Sequence, residues 1–362
     1  MDSETNFFEI NSRIKSELIF GGKNPDPPIL SIVIPTYKRI DLLRKNLRAI
    51  LSQIQPQSFF YEVVIVSNDP DFDPALLELE LDPRVFKVYV NQSNLGMCGN
   101  MNRCATLAAG EYIAYIQDDD VLLPDYLEEI RTLHQSGELS RIDCLIPNRY
   151  FYMENNDSTS KFGKKAIRNM KRKWALCHAL RLGKDFERFQ RIRTYDTLVT
   201  AYQYYAGGPT CGMLFRRESL LRSGGFDPSY PYGFDYVFFV NFMENYNVYL
   251  YDKFLSVYMT SNSASNRPEV QYDFFRARYD CLLEGAARCE KLQRQKDVIL
   301  CGTYHRYPAA VQKLIAEKYR IPAVPKMKYK LYFLLAQVYT YRSGGYRRQT
   351  CPPKICEWYL SL

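Results

Sequence analysis

Histidine, tryptophan and long apolar runs are scarce in this 362-residue chain. It has three histidines and two tryptophans, and the histidines lie too far from the polar loops described below to favour a Ser-His-Asp or Cys-His site. The longest uncharged apolar-aromatic run, Leu331–Tyr341, is shorter than the ~20 residues that a membrane-spanning helix needs. The acidic start, residues 1–5, lacks the apolar core of a secretory signal.

The ten cysteines do not form any C-x-x-C pair. In a chain without a secretion signal, scattered thiols favour buried reduced side chains over a disulfide framework or a zinc site. Apolar residues make up 46% of the chain and charged residues 24%, as in ordinary globular proteins. We therefore expect a cytoplasmic protein of about two domains.

The formal net charge of +8 is unevenly distributed. Residues 161–193 contain twelve Lys or Arg against two acidic residues, and a second basic stretch covers 291–348. Basic surfaces favour anionic partners, such as nucleotide phosphates, lipid head groups or nucleic acid. A solvated helical face is an equally good interpretation of either stretch.

Short apolar runs alternate with helical patterns in the first half of the chain. Strands are predicted at 30–35, 62–66, 85–90, 112–116 and 144–147, and helices at 40–52, 74–81, 96–108 and 124–135. This alternation predicts an α/β fold with a mostly parallel sheet sandwiched by helices. We divide the chain into an extension (1–28), a catalytic domain (29–265) with a basic helical insert over the site (148–200), and a helical C-terminal region (266–362). In that last region the helices are predicted at 272–292, 299–318 and 328–341.

Three consecutive carboxylates, Asp118, Asp119 and Asp120, follow the buried run at 112–116. Three acids in a row repel one another and are costly to bury, unless a cation neutralises them. A hard cation, Mn²⁺ or Mg²⁺, would bind one or two of these carboxylates together with substrate phosphates. The alternative is a solvated acidic turn that caps the helix beginning at Pro124.

Other polar loops also follow predicted strands, and in such sheets ligands bind at the carboxyl ends of strands. Asn68 and Asp69 can hydrogen-bond a base edge, although an Asx-turn explains them equally well. Asn94, Gly96 and Asn102 lie where a helix begins, and glycine there allows a phosphate or ribose to approach the helix N-terminus. G-x-G-x-x-G is missing from this segment, which disfavours a nicotinamide or flavin enzyme.

Asp235 follows the turn at 223–225, at the predicted start of a helix covering about 234–244. A carboxylate in that position can accept a proton from a hydroxyl nucleophile. Alone, it is more simply an N-terminal capping residue.

Taken in order, five segments of the chain resemble the family-2 inverting glycosyltransferases of GT-A (Rossmann-like) fold. They are residues 31–39 (SIVIPTYKR), 62–69 (EVVIVSND), 94–102, 108–113 (AAGEYI) and the acidic triplet. The resemblance covers about 30–260. It implies that Pro35, Thr36, Tyr37 and Arg39 line the nucleotide and that Asn68 or Asp69 contacts uracil.

The resemblance also implies roles for the acidic residues. Gln117 stands where the family's metal motif has its first Asp, so Asp118 is expected to hold ribose, Asp119 to ligate the metal and Asp120 to assist. Asp235 matches the family's catalytic base, although Phe234 stands where a Glu often precedes it. The family's later Arg-and-His segment is replaced around 258–262.

The implied reaction is the inverting transfer of a hexose-type sugar from a UDP-sugar to a hydroxyl of a saccharide or lipid-linked saccharide, in bacterial surface polysaccharide or lipid-linked glycan assembly. The C-terminal helix with Lys326, Lys328 and Lys330 then predicts peripheral contact with the inner face of an anionic membrane. Packing on the catalytic domain, or on a second copy in a homodimer, is the alternative for this helix.

Two other functions are alternative interpretations of the sequence. A nucleotidyltransferase on a related sheet would need a basic glycine-rich loop near the N-terminus, which is missing. A nucleic-acid-binding protein would use the 161–193 patch and show steeply salt-dependent binding without Mn²⁺. We do not expect nucleic acid as a partner.

Overall fold

The computed structural model describes residues 5–22, 26–53, 59–152, 188–192, 210–259, 267–342 and 349–362. Within these residues eleven strands form one sheet: β1 (Ser16–Phe20), β2 (Leu30–Thr36), β3 (Tyr61–Ser67), β4 (Phe86–Asn91), β5 (Tyr112–Tyr115), β6 (Val121–Leu122), β7 (Cys144–Tyr152), β8 (Phe189–Ile192), β9 (Met213–Arg216), β10 (Val248–Met259) and β11 (Gln349–Thr350). The strand order is β1-β4-β3-β2-β5-β9-β7-β10-β6, with β11 beside β7 and β8 beside β10.

Ten α-helices accompany the sheet in the described ranges. They are α1 (Ile40–Leu51), α2 (Gly96–Leu107), α3 (Tyr126–Gln135), α4 (Arg217–Arg222), α5 (Phe234–Asn245), α6 (Pro268–Arg288), α7 (Glu290–Tyr304), α8 (Ala309–Lys318), α9 (Lys326–Arg342) and α10 (Pro353–Ser361). None of these helices combines the length and the hydropathy needed to span a membrane.

The central strands are buried on both faces, as parallel strands between helical layers should be. Every residue of β2 and β3 is buried, and β2 pairs in parallel with both β3 and β5. Alternate β2 side chains enter different cores. Ile32 and Ile34 pack in the core that includes α1 and α3, whereas Val33 packs in the core that includes α2 and α5. The predicted α/β sandwich with a mostly parallel central sheet is therefore confirmed.

Helix and strand boundaries mostly follow the sequence pattern, with three clear exceptions. The predicted helix at 272–292 is interrupted at Cys289, between the end of α6 and the start of α7. The predicted helix at 74–81 is only a 3₁₀ turn, Pro74–Leu77. The predicted single helix at 299–318 is wrong. The helix is interrupted between α7 and α8, where Pro308 cannot donate a backbone hydrogen bond.

Both ends of the described chain add to the central domain. The predicted extension contributes β1, which pairs antiparallel with β4 at the sheet edge. At the other end, β11 pairs in parallel with β7, and α10 packs Tyr359 among Ala49, Val121 and Val257. The C-terminal region is thus more than a helical appendage.

The insert expected over the site is largely outside the described residues, since 153–187 and 193–209 are not among them. Its described parts differ from the helical expectation, because 148–152 belong to β7 and 189–192 form β8. Arg188, just before β8, pairs with Glu138 at 2.9 Å.

The nine described cysteines are free thiols, and six of them are buried. Burial is the main cause that raises the pKa of Cys144 and Cys211. These thiols therefore remain protonated and act as small apolar core residues.

Candidate active site

The strand order reverses beside β2. The chain runs from β2 outwards to β3 and β4, and then returns to β5 on the other side of β2. The carboxyl ends of β2 and β5 therefore flank a topological switch point, where open α/β sheets bind ligands. Thr36 ends β2, and the acidic turn, residues 117–120, follows β5.

Side chains from these two loops are joined at the switch point. The Thr36 hydroxyl donates to Asp118 Oδ2 at 2.9 Å. One guanidinium nitrogen of Arg39, Nη1, donates to Asp118 Oδ1 at 3.2 Å and to Asp119 Oδ2 at 3.0 Å. The loop after β2 and the loop after β5 thus form one polar cluster, made of three residues that the sequence predicts for the nucleotide and one, Asp119, that it predicts for the metal.

The two carboxylates of this cluster differ in exposure. The Asp118 side chain is 7% exposed and that of Asp119 is 32% exposed. Burial, together with the charge of Asp119, raises the pKa of Asp118 to about 6, although Arg39 and Thr36 oppose the rise. The cluster therefore holds more negative charge than Arg39 balances, and additional positive charge there would be stabilising.

Asp120 lies apart from its two neighbours. It is fully buried, and Oδ1 accepts the backbone N–H of Met259 at the end of β10, at 3.0 Å. Burial, followed by the charge of Asp119, raises its pKa well above the usual range. The carboxylate ties the acidic turn to β10, which differs from the metal-assisting role that the sequence suggests.

Asn46 fixes the acidic turn from α1, and sequence reasoning missed it. Its Nδ2 donates to the carbonyl oxygens of Gln117 and Asp120, at 2.8 and 2.7 Å. The signal was a polar residue in the apolar stripe of α1, between Leu43 and Ile50. A buried amide in such a position needs backbone partners, and here they are the two ends of the turn.

The residues after β2 and β3 divide into buried and accessible groups. Pro35 is buried within β2, whereas Tyr37 is 43% exposed at the rim. Asn68 is buried, and its amide bonds the carbonyl of Gly96 and the N–H of Leu95. Asp69 is half-buried. Of the two candidates for the base edge, Asp69 therefore has the more accessible side chain.

The segment from Asn94 to Asn102 is held by its own side chains. The exposed Asn94 accepts the N–H of Gly96 at 2.8 Å, and Gly96 adopts a positive φ of 72° where α2 begins. Asn102 is buried and bonds both the N–H and the carbonyl of Phe226, each at 2.8 Å. Asn102 therefore joins α2 to the turn before α5, which differs from the nucleotide contact that the sequence suggests.

Asp235 lies in the first turn of α5 and is half-buried. Its Oδ1 accepts the N–H of Tyr236 at 2.7 Å. Burial, followed by the charges of Asp227 and Asp235, raises the pKa of Cys98 in the first turn of α2. The ring of Phe234, which precedes Asp235, packs against Phe226, and Asn102 of α2 holds the backbone of Phe226. These contacts join the turn before α5 to α2.

The C-terminal region holds the backbone that precedes Asp235. Asp273 of α6 is buried, and its Oδ2 accepts the N–H groups of Tyr232 and Gly233, at 2.8 and 3.0 Å. A Cβ at Gly233 would lie 2.6 Å from the Cβ of Ala277, so this close approach of α5 to α6 requires glycine. Sequence reasoning missed Asp273, because only the tertiary structure brings α6 to this turn.

The cluster fits a divalent cation in charge and in donor chemistry. Asp119 offers a partly exposed carboxylate oxygen, the donor that Mg²⁺ and Mn²⁺ prefer. No group of three or more His, Cys, Asp or Glu side chains able to hold a metal occurs among the described residues.

Comparison with known proteins identifies the family. The sequence profile of glycosyl transferase family 2 matches residues 31–222, just over half of the chain. The protein belongs to glycosyl transferase family 2. The matched range of this glycosyltransferase includes Thr36, Arg39, Asp118 and Asp119 and ends before Asp235.

Relatives of this glycosyltransferase occur in several bacteria. An uncharacterised protein of Mycobacterium tuberculosis is 26% identical over 212 residues, 56% of this chain and 58% of that protein. The GalNAc(5)-diNAcBac-PP-undecaprenol beta-1,3-glucosyltransferase of Campylobacter jejuni is 26% identical over 306 residues, 81% of this chain and 85% of that protein. The chain therefore spans less than two thirds of the first relative and most of the second.

Solved structures agree with the fold expected for the family. Residues 1–349 of TarS from Staphylococcus aureus give a TM-score of 0.52 at 14% identity, covering 86% of this chain and 83% of that one. The complex of the same TarS segment with UDP-GlcNAc also gives 0.52, at 15% identity and with 86% and 81% coverage. The GT-A fold of this glycosyltransferase is thereby confirmed.

Proposed function

We propose that this glycosyltransferase moves a hexose-type sugar from a UDP-sugar to a hydroxyl of a saccharide acceptor, with inversion at the anomeric carbon. The proposal rests on the cluster of Thr36, Arg39, Asp118 and Asp119 at the switch point. The solved TarS complex contains UDP-GlcNAc, and the Campylobacter relative is named for a lipid-linked acceptor. These names support a UDP-sugar donor and an acceptor from surface polysaccharide or lipid-linked glycan assembly.

The donor would bind at the rim with its diphosphate beside the cluster. Arg39 provides the positive charge for phosphate oxygens, and Asp118 provides acceptors for ribose hydroxyls. Asp69 and the exposed ring of Tyr37 would contact uracil. A divalent cation held by Asp119 and the diphosphate would stabilise the negative charge of the departing UDP.

The transfer itself is a single displacement. The acceptor oxygen forms a bond to the anomeric carbon while the bond from that carbon to the phosphate oxygen breaks, and the electron pair leaves with UDP. Asp235 takes the proton of the acceptor hydroxyl. Attack from the face opposite UDP inverts the anomeric centre, by the stereochemical logic of inverting hydrolysis.

Thermal unfolding tests donor binding. Ligands that bind the folded state raise its stability, by about 2.7 kcal/mol at a hundred times the dissociation constant. We expect UDP with Mn²⁺ to raise the melting temperature, UDP with a chelator to raise it much less, and Asp119→Asn to abolish the difference. Glu218→Gln is the control, because it removes one exposed carboxylate from α4. Equal stabilisation of Asp119→Asn and wild type would refute the assignment of Asp119, and stabilisation by GDP alone would refute the UDP donor.

A membrane contact through α9 is a separate part of the proposal. Met327, Leu331 and Leu334 are 77%, 55% and 51% exposed, and their i, i+4, i+7 spacing places them on one helix face. Lys326, Lys328 and Lys330 are exposed beside them. An apolar face with adjacent lysines fits the surface of an anionic bilayer, where a lipid-linked acceptor would be found.

A further inference from the structure

A pocket separate from the acidic cluster lies where α10 packs against the sheet. Its volume is about 320 Å³, and three aromatic rings line it, those of Tyr150 in β7, Phe254 in β10 and Trp358 in α10. Asp125 and Lys354 also belong to its lining. The pocket therefore combines residues of the central sheet with residues of the C-terminal segment.

The pocket lies on the same edge of the sheet as the acidic cluster. β9 is antiparallel to both β5 and β7, so β7 runs in the direction of β5, and Tyr150 is near its carboxyl end. β6, which directly follows the acidic turn, pairs with β10 at Ser256 and Val257 and leads into Pro124 and Asp125. The hydrogen bond from Met259 to Asp120 ties the end of β10 to the same turn.

The lining groups suit a sugar ring, which has apolar C–H faces and polar hydroxyl edges. The rings of Tyr150 and Phe254 stack with centroids 4.4 Å apart, and together with Trp358 they remain partly exposed. A partly exposed aromatic face can pack against the C–H face of a sugar ring, because both surfaces are apolar. Asp125 and Lys354 are exposed at the rim, and Lys253 lies 3.2 Å from Asp125, so charged groups are available for hydroxyls.

We propose that this pocket binds a sugar residue of the acceptor, at the edge of the sheet that carries the donor cluster. The inference rests on the proposed transfer reaction and deepens it by naming the acceptor subsite. Ligand pockets range from about 300 to 1,000 Å³, so 320 Å³ is enough for a small carbohydrate of one or two rings. The C-terminal segment then has a role in acceptor recognition through Trp358.

Saturation-transfer NMR tests the pocket on the full-length protein. The probes are glucose, galactose, N-acetylglucosamine, N-acetylgalactosamine and lactose, each added with and without UDP and Mn²⁺. We expect at least one probe to receive saturation, and UDP with Mn²⁺ should not displace it because the donor site is separate. The same probe should shift Trp358 fluorescence in a Trp174→Phe background, which leaves Trp358 as the single tryptophan.

Variants at Trp358 test whether the carbohydrate probe binds in this pocket. Trp358→Leu keeps an apolar side chain but loses the flat ring, and it should weaken probe binding at least about tenfold, which corresponds to 1.4 kcal/mol. Trp358→Phe should retain most of the binding, which guards against simple loss of folding, and melting temperatures identify any variant that does not fold. Glu357→Gln on the exposed side of α10 is the matched control.

Failure of the acceptor pocket and failure of the proposed UDP donor would give different results. If no probe receives saturation, or if Trp358→Leu folds and binds as well as wild type, the acceptor pocket is refuted even when UDP with Mn²⁺ stabilises the protein. If a probe binds at Trp358 but UDP with Mn²⁺ has no effect, the pocket stands and the proposed donor is wrong.

Discussion

At the scale of single residues, Arg39 and Asp118 show how the cluster is prepared for additional positive charge. The Arg39 side chain is 45% exposed, whereas that of Asp118 is 7% exposed and fixed by Thr36. The guanidinium can therefore turn towards a bound diphosphate while the carboxylate stays in place. An electrostatically unfavourable site of this kind is typical of functional rather than structural clusters.

The pKa of Asp118 predicts a stability gain in Asp118→Asn for the metal-free protein. Its pKa rises from 3.8 to about 6 on folding, so between these pH values the folded state binds the extra proton. The free energy of unfolding of the wild type therefore decreases as pH rises from 4 to 6 because of this group. We therefore expect the free energy of unfolding of Asp118→Asn, relative to that of the wild type, to increase by on the order of 1–3 kcal/mol as pH rises from 4 to 7.

Urea unfolding in the presence of a chelator, at pH 4, 5, 6 and 7, measures this gain. The stability difference between the two proteins should change across that window and become constant above it. A stability difference that does not depend on pH would show that folding does not raise the pKa of Asp118.

Replacement of Asp235, the proposed base, should reduce sugar transfer without weakening the binding of the donor nucleotide. Asp235→Asn keeps the shape and the acceptor oxygen for the N–H of Tyr236, but it removes the proton acceptor. We expect transfer to fall by about 10²–10⁴-fold, the usual range for a general base. The stabilisation by UDP with Mn²⁺ should remain at the wild-type level.

The control for this variant is Glu244→Gln, which removes a carboxylate from the last turn of α5. It should transfer sugar at the wild-type rate. Wild-type turnover in Asp235→Asn, measured with the same donor and acceptor, would mean that another group takes the proton.

At the scale of elements, Asn102 illustrates how α2 positions the turn that leads to Asp235, the proposed base. It bonds both backbone groups of Phe226, and the ring of Phe226 packs against Phe234 at the start of α5, with centroids 5.5 Å apart. The adjacent Gly225, at a φ of +84°, brings its backbone so close that a Cβ would lie 2.7 Å from Asn102 Oδ1. A displacement of this turn would therefore move Asp235.

Asn102→Ala should lower the free energy of unfolding by about 1–3 kcal/mol. It removes the acceptor for the Phe226 N–H and leaves the Phe226 carbonyl with only the weak donor of the Cys98 thiol. Transfer should fall more than UDP binding, since the turn leads to Asp235 rather than to the donor cluster. Thr106→Ala on the exposed face of α2 is the control and should change stability little. Chemical denaturation gives the first quantity, and steady-state assays give the second.

Element identity was largely predictable from hydrophobic periodicity, and the errors have definite causes. The strands at 30–35 and 62–66 were clear because continuous apolar runs are typical of strands that are buried on both faces. The pattern at 74–81 favoured a helix, but the 3₁₀ turn ends at Glu78, whose φ of +52° is incompatible with continuing it. β1 was missed because an edge strand that is mostly exposed lacks a strong apolar pattern.

At the scale of the whole molecule, helix α9 of the C-terminal region has one packed face and one exposed face. α9 packs Phe333 against Gly302 of α7, and Tyr332 donates to Gln295 of α7 at 2.9 Å. Its face with Met327, Leu331 and Leu334 remains exposed in the described structure. The observed packing of α9 is on α7 of the same C-terminal region, whereas packing on the catalytic domain or on a second copy was expected. It uses a different face from the proposed membrane contact, which stays a proposal.

Flotation with liposomes tests the membrane contact. We expect binding to vesicles that contain anionic phospholipid, weaker binding to neutral vesicles, and loss of about 1 kcal/mol for each lysine removed from 326, 328 and 330. Leu331→Ser with Leu334→Ser should release the protein, whereas Leu76→Ser, an equally exposed position near α1, should not. No flotation of the wild type at low salt would remove this part of the proposal.

The sequence by itself determined the fold class, the family resemblance and the position of the acidic residues, because these depend on local periodicity and on residues that are adjacent in the chain. Tertiary structure decided which of the acidic residues share a site. It placed Asp118 and Asp119 beside Arg39 and turned Asp120 towards β10. It also brought Asn46 to the turn, Asp273 to the start of α5 and Trp358 to Tyr150. Such contacts depend on the packing of elements that are distant in sequence, and no local pattern encodes that packing.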